Sequence, residues 1–141
     1  LDDFSMGLDP GYRRLFVDYL RDFARAEGKT VFLTSHIIQD MERLIDDCII
    51  MDYGRILVQM PVAELLRTFR RYTFRCADDA ALPSDSELRH PSVLRGRGEL
   101  CSFLPPEEVR LRLARAGIPG DDFTVETLNL EDAFIGLTGK Y

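Results

Sequence analysis

The chain has 141 residues, 45% apolar, 30% charged and 10% aromatic, with a formal net charge of −6. That supports one ordinary domain or two small ones, and excludes low-complexity disorder and a collagen-like repeat. No apolar run approaches the ~18–20 residues that span a bilayer. Ten Lys/Arg face twelve Asp/Glu before Tyr72, and eight face twelve after it. Neither part is the basic surface that nucleic-acid binding needs. The opening Leu1-Asp2-Asp3 lacks a Met, a basic flank and an apolar core, so no signal peptide and a cut end are expected. Cys48, Cys76 and Cys101 are far apart with no Cys-x-x-Cys, which predicts reduced thiols in a cytosolic setting.

A helix is predicted from Pro10 to about Glu27. Tyr12, Leu15, Phe16, Tyr19, Leu20 and Phe23 form its apolar stripe, Asp9 its N-cap and Gly28 its C-terminal stop. Thr30–Thr34 reads as a strand covered on both faces, and Ile37–Ile45 as a second helix. Asp47–Met51 and Arg55–Gln59 read as a hairpin around Asp52-Tyr53-Gly54, followed by a short helix from Pro61. The alternation of helices and buried strands gives an α/β layered fold with a mixed sheet. From Tyr72 the pattern changes. A strand (Tyr72–Cys76), a polar stretch (Asp78–Pro91) and a hairpin at Gly96 and Gly98 follow. Then come a helix (Pro106–Ala116) with Val109, Leu113 and Ala116 inward, a half-buried strand (Phe123–Leu128), and a helix (Leu130–Leu137) capped by Asn129 and closed by Gly139. That order is a small α+β, ferredoxin-like β-α-β-β-α-β layer with one extra helix. Arg110, Arg112 and Arg115 are expected to face water, and His90 to lie in a polar loop. The expected domains are 1–71 and 72–141.

Two short segments carry chemistry. Leu1-Asp2-Asp3-Phe4-Ser5-Met6-Gly7-Leu8-Asp9-Pro10 sets two carboxylates before a tight turn and a Pro-started helix. Such a loop presents oxygen ligands to magnesium, which keeps several waters and needs only one or two carboxylates beside a phosphate. Thr34-Ser35-His36 leaves an apolar run, where a histidine reaches the carboxyl-end crevice used by ligands of open α/β sheets. Taken singly, the acids read as a solvated helix cap and the histidine as a packed or capping residue.

In this order and spacing the two segments resemble the second half of an ABC-transporter ATP-binding subunit. Leu1–Pro10 is similar to the end of the Walker B strand and the D-loop, and Thr34-Ser35-His36 to the switch-histidine loop. Glu42–Ile56 is similar to the helix, strand and Gly-Arg hairpin that follow it. Leu130–Gly139 resembles the ending of exporter-type subunits. The fold this implies for residues 1–71 is part of a P-loop NTPase sheet.

The resemblance implies ATP and Mg2+ as cofactors. Asp2 would hold magnesium through its water shell, Asp3 would orient or deprotonate the attacking water, and His36 would bond the γ-phosphate. Asp9 would signal across a dimer to the opposite nucleotide. A second ATP-binding subunit and a transmembrane permease are the implied partners, with the protein on the cytoplasmic face of the membrane. Two residues depart from the family pattern. Asp3 replaces glutamate, leaving its carboxylate about 1 Å short, and misplacement of that size costs about 10²-fold in rate. Phe4 replaces a proline and is expected to loosen the turn.

The sequence holds no Gly-x-x-x-x-Gly-Lys-Ser/Thr, no Leu-Ser-Gly-Gly-Gln and no recognisable Q-loop. These 141 residues alone are therefore expected neither to bind nor to hydrolyse ATP. Two other readings stay open. One is a non-catalytic regulatory or dimerisation module in which Asp2 and His36 are remnants; the other, less favoured, is a stand-alone metal hydrolase. With Leu1 the last trace of the strand before Asp2, the edge of Thr30–Thr34 is expected to recruit another chain.

Overall fold

The computed structural model describes residues 1–3, 6–39 and 41–139. Phe4 and its expected effect on the turn lie outside them. The fold is mixed α/β, and contacts divide it into two compact units, Leu1–Asp46 and Asp47–Tyr141.

The first unit is built on α1 (Pro10–Ala26). Asp9 caps it, its Oδ1 accepting from the backbone N–H of Gly11 at 2.9 Å and of Tyr12 at 3.2 Å. Gly28, at φ +59°, takes the left-handed conformation that stops the helix. The helix forms where its periodicity puts it, but its stripe is not core. Tyr12, Leu15, Tyr19 and Phe23 are exposed, and Val17 is its buried residue.

Two expectations fail in this unit. Thr30–Thr34 is not a covered strand: it makes one parallel bridge, Asp2 to Thr34, and Phe32 is 73% exposed. A buried strand needs ladders on both sides and layers on both faces; among the described residues only Leu1–Asp3 bond to it. The helix expected over Ile37–Ile45 does not form among the described residues, which hold one 3₁₀ turn, Met41–Arg43. The Ser35 hydroxyl takes the N–H of Ile37 at 3.0 Å, a local bond that competes with the first helical turn.

The second unit opens with a hairpin. β1 (Asp47–Asp52) pairs with β2 (Arg55–Pro61), with a bulge between Ile50 and Met51. Tyr53 and Gly54 lie at φ 46° and 74°, as a two-residue type I′ turn requires. α2 (Val62–Thr68) follows, then β3 (Arg70–Arg75), β4 (Arg89–Leu94), β5 (Arg97–Ser102), α3 (Pro106–Arg115), β6 (Thr124–Thr127) and α4 (Leu130–Thr138). The latter four strands form an antiparallel sheet in the order β4-β5-β3-β6. This is the ferredoxin-like strand order, with an irregular segment where the first crossover helix would stand.

α3 packs on one face of this sheet and α4 on the other. Tyr72 and Phe74 meet Leu100, Val109, Leu113, Leu88 and Ile118 on the α3 side. Gly98 lies opposite Phe74, and a Cβ there would sit 2.3 Å from the ring, so only glycine fits. On the other face α4 comes close to Cys101 and Phe69: a Cβ at Gly136 would lie 2.9 Å from Cys101 Sγ and 3.0 Å from Phe69. Arg71 emerges there between Glu99, Glu126 and Asp132 at 3.5–3.9 Å.

Several smaller expectations need correction. Arg112 does not stand free in water; it joins Glu108 on its own helix to Asp85 and Glu87 of the segment between β3 and β4 at 2.6–3.2 Å. Arg110 is exposed, as expected, with its guanidinium over the Phe123 ring at 4.2 Å. Ala116 is exposed rather than inward. β6 is exposed along its length, an edge strand rather than a half-buried one. His90 belongs to β4, at a bulge between Arg89 and Ser92, with Nε2 3.2 Å from the Leu137 carbonyl at the end of α4. Asn129 and Gly139 cap α4 as expected. By contacts, β1, β2 and α2 group with the later elements.

Candidate active site

Residues from the two chemical segments meet at one crossing of the chain. The Thr34 N–H donates to the Leu1 carbonyl at 2.8 Å, and the Asp3 N–H to the Thr34 carbonyl at 3.0 Å. This short parallel pairing sets Asp2 beside Thr34, and the Thr34 hydroxyl donates to Asp2 Oδ1. Asp3 turns away in a left-handed conformation, φ 40°, which aspartate tolerates better than most residues. Its Oδ1 accepts from the His36 backbone N–H at 3.3 Å and stands 2.9 Å from His36 Nδ1.

An ionised carboxylate only accepts, so the proton in the Asp3–His36 bond sits on Nδ1. The neutral ring then offers Nε2 as an acceptor, and only the imidazolium offers it as a donor. The His36 side chain is 63% exposed and that of Asp3 43%. The pair thus faces open space rather than packed hydrocarbon.

Asp9 is not brought to this cluster: its Oδ1 is occupied by the first turn of α1. Thr34, read from sequence as a strand end and the start of the histidine loop but given no role of its own, is the added member. Its signal was a hydroxyl two residues before the histidine. Asp2 and Asp3 supply hard oxygens of the kind magnesium takes when one or two carboxylates share it with water and phosphate. Among the described residues no group of three or more His, Cys, Asp or Glu could hold a metal ion by itself.

No family model matches the chain. Along 99% of its length its sequence is nevertheless similar to proteins that are ATP-binding subunits of ABC transporters. Relatives named Nod factor export ATP-binding protein I include one from Rhizobium meliloti, 35% identical over 146 residues. Those from Burkholderia orbicola (strain AU 1054) and Ralstonia nicotianae (strain ATCC BAA-1114 / GMI1000) are each 31% identical, over 148 and 154 residues. The chain spans 42% of the first relative and 46% of the other two. No helix among the described residues is long and apolar enough to cross a membrane.

Proposed function

We propose that this chain is the catalytic-loop half and C-terminal extension of an ATP-hydrolysing subunit of an ABC exporter. The observation that carries the reading is the Asp3–His36 bond, which joins residues 33 apart in sequence at 2.9 Å. Residues 1–71 are the catalytic portion in this reading, and 72–141 an accessory domain. The relatives' names speak of Nod factor export; export is what we carry over to this chain.

Magnesium bound with ATP would supply positive charge at the phosphate oxygens. Asp2 would hold the metal through water. Asp3 would hold His36 by Nδ1 and orient the attacking water with its second oxygen. His36, as the imidazolium, would donate from Nε2 to the terminal phosphate. Asp9 would act in the D-loop across a dimer of two such subunits. A transmembrane permease would be the partner that this dimer drives, from the cytoplasmic face of the membrane.

The test is ATP turnover by the full-length protein carrying His36→Ala or Asp3→Asn. Loss of about 10²-fold or more with retained nucleotide binding is expected. Full turnover in both variants would overturn the assignment. The 141 residues alone should show no stoichiometric ATP binding by calorimetry. A nucleotide-independent dimer of the chain in sedimentation, with both variants active, would favour the regulatory module instead.

A further inference from the structure

We propose that Thr34 is a positioning residue for Asp2, selecting which carboxylate oxygen is left for the water shell of a divalent cation. The inference rests on the reading above and adds to it a residue that never meets the phosphate.

Three features of the chain crossing support it. The parallel bridge between Asp2 and Thr34 puts their side chains next to each other on one face. The carboxylate is acceptor-only, so the Thr34 hydroxyl is the donor and Asp2 Oδ1 is the occupied oxygen. Among the described residues Asp2 Oδ2 has no hydrogen-bond partner, leaving it for a cation's water. Threonine is branched at Cβ and restricted in χ1, so its hydroxyl is aimed before any ligand arrives. Two backbone bonds, Thr34 N–H to Leu1 and Asp3 N–H to Thr34, hold the donor against the acid. Supports of this kind around a metal-binding carboxylate are worth about 10–100-fold in metal affinity or activity.

The experiment measures Mn2+ binding by electron paramagnetic resonance in the full-length protein with a non-hydrolysable ATP analogue. Thr34→Val, which keeps shape and loses the hydroxyl, should weaken Mn2+ binding about 10-fold. Nucleotide affinity in EDTA should not change. Thr34→Ser, which restores the donor, should return Mn2+ affinity to within about 3-fold of the parent. Unchanged Mn2+ affinity in Thr34→Val, an equal loss of metal-free nucleotide affinity, or no recovery in Thr34→Ser would each overturn the proposal. Asp2→Asn separates the levels. If it weakens Mn2+ binding and Thr34→Val does not, only the role of Thr34 fails. If Asp2→Asn binds Mn2+ like the parent, the assignment of Asp2 fails with it.

Discussion

Replacing Asp3 by glutamate in the full-length protein tests whether the short acid limits turnover. In the structure Asp3 Oδ1 is committed to His36, 3.3 Å from its backbone N and 2.9 Å from Nδ1. One oxygen of a short side chain remains for water. A further methylene extends the carboxylate by about 1 Å toward a water placed for the longer acid, and a misplacement of that size costs about 10²-fold. Single-turnover hydrolysis at saturating Mg-ATP should therefore rise by up to about 10²-fold in Asp3→Glu. His36→Ala should remove the gain, because the water needs both groups. Turnover that is unchanged or lower in a folded Asp3→Glu protein would refute the reasoning. It would show that the bond to His36, and not reach toward water, is what Asp3 is for.

Leu113 is fully buried between α3 and the sheet. Leu113→Ala should cost about 2–5 kcal/mol in urea unfolding, and a loss below about 1 kcal/mol would mean that this core is not the one holding the unit together. Asp85 accepts backbone N–H bonds from Leu88 and Glu87 and faces Arg112, which together lower its pKa below the usual carboxylate value. A lowered folded-state pKa gives stability that is full above the unfolded value and lost as pH falls through the folded one. The margin of the parent over Asp85→Asn should thus be present at neutral pH and vanish in strong acid; a margin that grows on acidification would contradict it. Burial pushes the Cys101 thiol up to about 11, whereas Cys76 is half-buried with a smaller rise from burial and Asp78. Iodoacetamide at neutral pH should label Cys76 before Cys101 in the folded chain, as read by mass spectrometry.

What the sequence made legible was governed by local chemistry. Asp9 and Asn129 cap helices because a short acceptor side chain reaches the second or third N–H from where it stands. Tyr53-Gly54 and Arg95-Gly96 turn hairpins because both positions need positive φ. Val109 and Leu113 point inward because their spacing matches one helix face. Thr30–Thr34 and the α1 stripe failed because their burial depends on partners distant in sequence. Apolar periodicity states that a face wants covering; it does not state that a cover is present.

The site was legible for a different reason. Asp2, Asp3 and His36 were paired by a family likeness, not by periodicity, and their meeting needs only one crossing of two short segments. That crossing survives where the surrounding strand and helix do not form. Two backbone hydrogen bonds and one parallel bridge between Leu1–Asp3 and Thr34 suffice to set the side chains, since each residue in a parallel pairing fixes the face of its neighbour. The role of Thr34 toward Asp2 escaped notice by the same logic. Its hydroxyl has meaning only once Asp2 is beside it, and sequence spacing alone gives a threonine before a histidine no acid to hold.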